Sequence, residues 1–99
     1  MHARILTTQA KVDKIDELIT VFRASIVPAA MQQKGFIGIK LFIDRATGKG
    51  VVVSRWQSEA DLLAGEASGY YQEQVAKVMP FLTAAPERAV YEIAVEGGA

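Results

Sequence analysis

The stretch that decides the fold runs from Gly50 to Met79 and reads GVVVSRWQSEADLLAGEASGYYQEQVAKVM. It begins with the β-branched run Val51–Val53, which favours a strand and leads to Trp56, the only tryptophan of the chain. Ser58, with Asp61 three residues later, is close to a capping box and predicts the start of a helix.

The predicted helix continues from Ser58 to about Met79, with an interruption near Ser68-Gly69. Two tyrosines, Tyr70 and Tyr71, follow directly after this interruption. A strand that ends in tryptophan and a helix that carries two tyrosines predict an apolar pocket with a few polar groups at its edge.

Around this segment the pattern predicts three further strands and one further helix. Apolar residues recur at helical spacing from Val12 to Ile26, with Asp13 as the predicted N-cap, a bend at Pro28 and Gly35 as the predicted C-cap. The four strands are expected at residues 3–9, 36–44, 50–57 and 88–96. The order βαββαβ predicts a single α+β domain over residues 1–99, ferredoxin-like, with a four-stranded antiparallel sheet and two helices on one face.

Composition excludes several classes of protein. Eleven basic and eleven acidic side chains give zero formal net charge, which argues against a nucleic-acid partner. The chain has no cysteine and one histidine, His2, so we expect no disulfide and no metal site. The sequence shows no signal peptide and no long apolar run, so we expect a cytoplasmic location and no membrane association.

Side-chain alternation predicts that both faces of the sheet are apolar. In the second strand, one face is expected to meet the helices (Ile37, Ile39, Leu41, Ile43) and the other to point away from them (Phe36, Gly38, Lys40, Phe42). If Trp56 faces the helices, then Val51, Val53 and Arg55 point away. The same face of a second subunit is the simplest cover, so we expect a homodimer. If Arg4 and Glu92 also point away, this interface holds Arg4, Lys40, Arg55 and Glu92, and we expect ion pairs or a wet rim there, most simply a pair between Glu92 and one of the basic residues.

The segments SRWQSEADL and SGYYQEQVAKVMPFL resemble the antibiotic biosynthesis monooxygenase domain family of dimeric α/β-barrel proteins. The residues that carry the resemblance are Trp56, Ser58, Glu59, Ser68 and Tyr70-Tyr71. It implies the same βαββαβ order, a dimer through the sheet, and a small hydrophobic or aromatic ligand. Members include cofactor-independent quinol oxygenases and heme-degrading enzymes.

Two departures bear on the cofactor. The heme-degrading branch uses a histidine on the second helix as iron ligand and an asparagine on the first strand. Residues 58–79 contain no histidine, and the first strand offers Thr7, Thr8 and Gln9 instead of asparagine. The resemblance therefore favours no cofactor over heme.

A cofactor-free oxygenase needs an apolar slot, a proton acceptor and donors directed at a developing oxyanion. The candidates for catalysis are Trp56, Tyr71 and Arg23, and Glu66 is a candidate base by location alone. The expected substrate-binding residues are Thr7, Phe22, Ser54, Trp56, Tyr70, Tyr71 and Tyr91. The predicted function is monooxygenation of a small aromatic or quinol-like substrate between sheet and helices.

Other readings of the same residues stay open. Trp56 also suits a role as core side chain, and Arg23 suits either an ion pair with a carboxylate such as Glu17 or a solvated position. A ligand-binding or stress-associated dimer without turnover is the alternative function, because no base is evident. An RNA-recognition module shares the βαββαβ order, but GVVVSRWQ lacks the basic aromatic motif of that class.

Overall fold

A computed structural model describes residues 1–98, in which four strands form one antiparallel sheet. The spatial order is β2-β3-β1-β4, so the first and third strands are central. This order and the helices on one face confirm the ferredoxin-like prediction. The strands are β1 (His2–Gln9), β2 (Phe36–Ile43), β3 (Lys49–Trp56) and β4 (Glu87–Glu92).

Each of the two helical regions is divided into segments. The first consists of a 3-10 turn, Val12–Lys14, the helix α1 (Ile15–Val21), a π-helical segment (Phe22–Ile26) and α2 (Val27–Met31). The second consists of α3 (Glu59–Ala67), α4 (Tyr70–Val78) and a 3-10 turn, Met79–Phe81. The element order βαββαβ is therefore as predicted, and both helices change direction or pitch partway along.

The start of α3 and its junction with α4 follow the sequence signals. Ser58 has an extended backbone, and its Oγ accepts the backbone N–H of Asp61 at 3.1 Å, which confirms the predicted cap. Gly69 adopts a φ of +88°, a left-handed conformation that only glycine tolerates readily. This turn ends α3 after Ala67 and lets α4 begin at Tyr70.

The π-helical segment has a physical cause in Pro28. Proline has no N–H for the carbonyl four residues earlier, and its ring crowds that carbonyl. The chain widens instead, and Val27 donates its N–H to the carbonyl of Phe22, five residues back. The predicted bend at Pro28 is thus a widened turn that precedes it.

Two predicted caps of the first helical region are wrong. Asp13 lies inside the turn Val12–Lys14, where Lys14 donates its N–H to the carbonyl of Lys11 at 2.9 Å. The chain curls directly after β1, so Asp13 never adopts the extended conformation of an N-cap. Gly35 has a φ of +79° but belongs to the turn before β2, because α2 already ends at Met31.

A bulge in β2 overturns the predicted position of Phe36. Phe36 pairs with Trp56 and Gly38 pairs with Arg55, so one extra residue is inserted between them. Phe36 therefore lies on the helix side, where its ring meets Trp56 edge to face at 5.6 Å. Beyond the bulge the predicted alternation holds, and Phe42 is 53% exposed on the opposite face.

The predicted orientation of β1 is also wrong. Arg4 pairs with Ser54 and lies with it on the helix side, where it is only 5% exposed. The pattern was ambiguous because Ile5 and Leu6 are adjacent, so neither parity of the strand is clearly the apolar one. The even-numbered residues of β1 thus face the helices, and the odd-numbered ones face away.

The face of the sheet away from the helices carries an ion pair, but not one of those expected, because Glu92 pairs with His2 and lies on the helix side. Arg55 contacts the carboxylate of Glu96 at 3.3 Å, in place of the predicted partner Glu92. Around this pair lie Val51, Val53, Phe42 and Tyr91, of which Phe42 and Tyr91 are more than half exposed.

Replacing Ser58 by alanine is expected to lower the free energy of unfolding by about 1 kcal/mol, because the N–H of Asp61 loses its acceptor. Ser58→Asp restores an acceptor oxygen and serves as the matched control, with stability close to that of the natural protein. Urea unfolding of the three proteins measures the difference. Equal stability of Ser58→Ala and Ser58→Asp would contradict the assigned cap.

Candidate functional site

A small cavity lies between the helix side of the sheet and the two helical regions. Its volume is about 60 Å³. β1, β2 and β3 form its floor, and the π-helical segment, α4 and Pro86 form its walls. The lining side chains are Arg4, Leu6, Thr8, Phe22, Ile26, Ile39, Val52, Ser54, Tyr70, Tyr71, Gln74, Val75, Val78 and Pro86. Most of these are apolar, and Arg4 alone among them carries a charge.

Arg4 belongs to a cluster of two arginines and one carboxylate. Its Nε donates to Glu66 at 3.0 Å, and Arg88 from β4 binds the same carboxylate with two hydrogen bonds of 2.7 Å. The side chains of Glu66 and Arg4 are 17% and 6% exposed, so this pair is largely shielded from water, whereas the side chain of Arg88 is 37% exposed. Two formal positive charges thus share one negative charge.

The carboxylate of Glu66 is a poor proton acceptor. Burial alone would raise its pKa, but the hydrogen bonds from Arg88 and Arg4 outweigh burial and hold the pKa below its usual value. The same contact raises the pKa of Arg88. Glu66, the base suggested by location, is therefore an anchor for the arginines and stays ionised at neutral pH.

The guanidinium of Arg4 also lies against aromatic rings. Its Cζ is 4.3 Å from the ring centre of Tyr71 and 5.7 Å from that of Trp56, both within cation–π range. Burial raises the pKa of Tyr70 and of Tyr71, with Arg4 opposing the shift in each. Both tyrosines are consequently neutral hydrogen-bonding groups at neutral pH.

Trp56 stands behind the cavity wall rather than on it. It is 1% exposed, and its indole N–H donates to the Oγ of Ser54 at 3.1 Å. Its ring also meets Tyr70 edge to face at 6.5 Å, and a Cβ added to Gly65 would crowd that tyrosine at 3.3 Å. The indole donor is thus already used, which favours the reading of Trp56 as a core side chain.

Two polar atoms on residues that line the cavity have no hydrogen-bond partner among residues 1–98. They are Nη2 of Arg4 and Oγ1 of Thr8, on side chains that are at least nine-tenths buried. A buried donor without a partner is costly, so such atoms point to a ligand or an ordered water molecule.

The structure brings together four of the residues predicted to bind substrate: Phe22, Ser54, Tyr70 and Tyr71. Thr7 and Tyr91 are not among them. Thr7 pairs with Val51, and Tyr91, which pairs with Ala3, is 57% exposed, so both lie on the opposite face of the sheet. The wrong parity assigned to β1 and β4 explains both errors.

Arg23 lies outside the cavity, on an open groove next to it. The groove has a volume of about 280 Å³ and lies between the first helical region and β2, lined by Ile19, Phe22, Arg23, Val27, Ile39, Leu41 and Ile43. Within residues 1–98, no carboxylate lies within ion-pair distance of Arg23, so the predicted pair with Glu17 is absent. Phe22 and Ile39 line both spaces and separate them.

Sequence reasoning missed Arg4, Thr8 and Gln74. The first two required the correct parity of β1, which depends on pairing with β3. Gln74 had a usable signal, because it lies one helical turn after Tyr70 and Tyr71 and so shares their face.

These features define an α+β protein of ferredoxin-like fold with an apolar pocket between its sheet and its helices. Residues 1–77 match the family model described as antibiotic biosynthesis monooxygenase, and the chain belongs to that family. Uncharacterised proteins of Mycobacterium tuberculosis are 32% identical over 78 residues, 79% of this chain. The chain spans about a third of the length of these curated relatives, 32%.

Solved structures share the fold at low sequence identity. A candidate antibiotic biosynthesis monooxygenase from Nitrosomonas europaea is 14% identical, with a TM-score of 0.78 over 96% of this chain and 100% of that one. The heme-degrader MhuD from Mycobacterium tuberculosis, solved with two hemes in its active site, is 19% identical, with a TM-score of 0.79 over 99% of this chain and 100% of that one.

Two kinds of feature are absent from the described residues. No helix within residues 1–98 has the length and apolar character needed to cross a membrane. In the same residues, no three histidine, cysteine, aspartate or glutamate side chains come together as they would around a metal ion.

Replacing Glu66 by glutamine is expected to cost about 3 kcal/mol of stability at pH 7, because two arginines lose their carboxylate. Since the pKa of Glu66 is lowered by folding, its contribution is fully present above the unfolded pKa, roughly 4.3, and is lost as the pH falls through the lower folded pKa. The gap between natural protein and variant should therefore narrow in acid.

Urea unfolding at pH 7 and at successively lower pH measures this gap. Glu73→Gln, at an exposed position of α4, is the matched control, with a change expected within about 0.5 kcal/mol. A gap for Glu66→Gln that is the same at every pH would contradict the assignment of Glu66 as an ionised anchor.

Proposed function

We propose that the protein is a cofactor-independent monooxygenase that oxidises a small aromatic or quinol-like substrate between sheet and helices of a single domain, residues 1–99, of which Ala99 lies outside the described part. The observation that carries the proposal is the cavity itself. Its walls are apolar, and Ser54, Tyr70, Tyr71 and Arg4 give it hydrogen-bonding groups. Family membership supports the same reaction class.

In such a reaction the substrate supplies the electrons. A CH₂ group flanked by aromatic rings, as in an anthrone, loses a proton, and the resulting anion reduces O₂. One oxygen atom replaces the two hydrogens as a carbonyl, and the other leaves as water, so that CH₂ and O₂ give C=O and H₂O. The protein has to bind the ring, hold the anion and shield the intermediate from water.

The hydroxyl groups of Tyr71 and Ser54 are the proposed donors to the substrate oxygen. Both side chains line the cavity, and Tyr71 is neutral because burial raises its pKa. Glu66 is ionised and already accepts three hydrogen bonds, so the proposal assigns it no proton transfer. Deprotonation then depends on the acidity of the substrate itself.

The cavity must widen to admit a ring. Its volume of about 60 Å³ is smaller than the roughly 150 Å³ of an apolar cavity known to bind benzene. The adjoining groove provides the space, because Phe22 and Ile39 line both the cavity and the groove. Phe22 begins the π-helical segment, and irregular turns of this kind are common where helices adjust at functional sites. We propose that Phe22 moves aside as substrate enters.

The residues do not fit heme. Iron in such proteins needs an axial ligand, and α3 and α4 carry no histidine. His2 is the first residue of β1, and its Nε2 lies 3.4 Å from the carboxylate of Glu59. It does not line the cavity. The tyrosines beside the cavity have raised pKa values, which disfavours the phenolate that would bind iron. We therefore assign heme no part in the reaction.

The purified protein is expected to accelerate oxygen uptake by an anthrone or a naphthoquinol over the buffer rate. Tyr71→Phe removes the proposed donor and should lower kcat/KM roughly tenfold or more. Tyr91→Phe, which removes a hydroxyl from the opposite face of the sheet, is the matched control and should leave the rate unchanged. Oxygen-electrode measurements over a panel of such substrates test this, and no acceleration with any of them would overturn the proposal.

A ligand-binding dimer without turnover is the second candidate. The specific observation in its favour is that Glu66, the carboxylate bound to Arg4, has a lowered pKa and is held by two arginines. Quenching of Trp56 fluorescence by aromatic ligands, with no oxygen uptake and no product, is the result expected for this function.

We also propose that the chain forms a homodimer through the outer sheet face, defined by Ile5, Phe42, Val51, Val53, Ala89 and Tyr91. These side chains share the face opposite the helices, and exposed apolar patches of this kind are typical of subunit interfaces. Because the formal net charge is zero, electrostatic repulsion between two copies of the chain is small.

A cytoplasmic location and the lack of a nucleic-acid partner stay predictions.

Phe42→Asp is expected to shift the protein from dimer to monomer, because a buried, unpaired charge at a subunit interface costs several kcal/mol. Phe42 is 53% exposed in the single chain, so the monomer should still fold. Leu63→Asp, at an exposed position of α3, is the matched control and should remain dimeric. Sedimentation velocity distinguishes the two, and a natural protein that is monomeric at working concentration would contradict the proposed interface.

A further inference from the structure

We infer that the cavity selects aromatic anions, and that Nη2 of Arg4 is the donor that binds their negatively charged oxygen. This deepens the proposed function and rests on it only in taking the cavity between sheet and helices as the binding site. The ligand class is a ring that bears one phenolate or carboxylate oxygen.

The first support is an unused donor on a buried cation. Arg4 is 5% exposed, yet its Nη2 has no partner within residues 1–98, while its Nε is bound to Glu66. Since a guanidinium offers five N–H donors in a fixed plane, Nε can serve an internal carboxylate while Nη2 serves a ligand.

The second support is the local charge. Arg4 and Arg88 face a single carboxylate, Glu66, so the cluster retains one positive charge in excess. Of the described residues that line the cavity, Arg4 is the only charged one, and the others are apolar or neutral polar groups. The charge of Arg88 is partly screened by water, whereas the buried charge of Arg4 is screened little and favours an anion over a neutral ligand.

The third support is the aromatic surrounding of the guanidinium. The ring centre of Tyr71 is 4.3 Å from the Cζ atom of Arg4, and the Nε–H of Arg4 donates to the carboxylate of Glu66. Both contacts restrict the orientation of Arg4 before a ligand arrives. Its Nη2 is covered in the ligand-free chain, so it meets a ligand only when the cavity widens. A planar ring beside this donor would lie among Phe22, Tyr70 and Ile39, which line the same space.

The inference also accounts for the missing base. A site that binds the anion more tightly than the neutral acid lowers the pKa of the bound ligand, because it stabilises the deprotonated form. The proton is then released to water before or during binding, and no side chain has to accept it.

Three probes of one shape test the charge preference: 2-naphthoate, 2-naphthamide and 2-naphthylmethylammonium, with benzoate and benzamide as the smaller pair. Binding is followed by quenching of Trp56, whose ring is 5.7 Å from the guanidinium, and by calorimetry at pH 7. We expect the carboxylates to bind roughly tenfold or more tightly than the matched amides, as a charge-assisted hydrogen bond implies. The ammonium probe should bind most weakly.

Variants assign the preference to Arg4. Arg4→Gln should abolish the difference between carboxylate and amide, and Arg45→Gln, which removes an exposed arginine paired with Asp16, should preserve it. Glu66→Gln removes the competing negative charge and should bind the carboxylates more tightly than the natural protein does. A purely structural role for the cluster predicts the opposite for Glu66→Gln, so this variant remains decisive if Arg4→Gln unfolds. Circular dichroism verifies that each variant is folded.

The outcomes separate this inference from the proposed function. Carboxylate preference without oxygen uptake keeps the inference and removes the monooxygenase proposal. Oxygen uptake with equal binding of carboxylate and amide, or with a preference that survives Arg4→Gln, overturns the inference alone. If none of the probes binds, the inference fails as well.

Discussion

The burial of one positive charge under the helices is the constraint on which the rest of the pocket depends. A guanidinium placed between a sheet and its covering helices must find a carboxylate, because an unpaired charge there would cost several kcal/mol. Glu66 supplies it from α3, and Arg88 binds the same carboxylate from β4. Sheet and helix are therefore held at a defined distance by an ion pair at one end of the cavity, while apolar packing closes the other end.

Two irregularities in the helices shape the space that this ion pair keeps open. Pro28 forces the π-helical segment that directs Phe22 and Ile26 toward the sheet, and Gly69 turns the chain so that Tyr70 and Tyr71 begin a new helix over the same space. Together the two irregular segments place these four side chains along the cavity. The irregular segments also offer the easiest places for the walls to move, because their backbone hydrogen bonds are already non-standard.

The strands contribute side chains to two different surfaces, the cavity with its polar groups and the apolar outer sheet face. The even-numbered residues of β1 contribute the charged and hydroxyl groups of the cavity, Arg4 and Thr8, while the odd-numbered ones lie on the apolar outer sheet face. A shift of one residue in the register would exchange the two sets and place the arginine at the outer face without Glu66. The pairing of β1 with β3 consequently decides both where a ligand can bind and which surface is left to a partner subunit.

How far the sequence determined the protein depends on the kind of signal. Residues with strong local preferences were sufficient for the elements: the β-branched run before Trp56, the cap at Ser58, the interruption at Gly69 and the proline in the first helix all act within a few residues of themselves. They predicted the order βαββαβ, and Trp56 together with Tyr70 and Tyr71 predicted an apolar pocket. What the tertiary structure alone decided was the direction of side chains whose own pattern is ambiguous. Ile5 and Leu6 are equally apolar, so only pairing with β3 turned Arg4 and Thr8 inward, and only a bulge opposite Trp56 turned Phe36 inward. Alternation along a strand shows which residues share a face, but not which of the two faces meets the helices. That choice depends on pairing with a neighbouring strand that is distant in sequence.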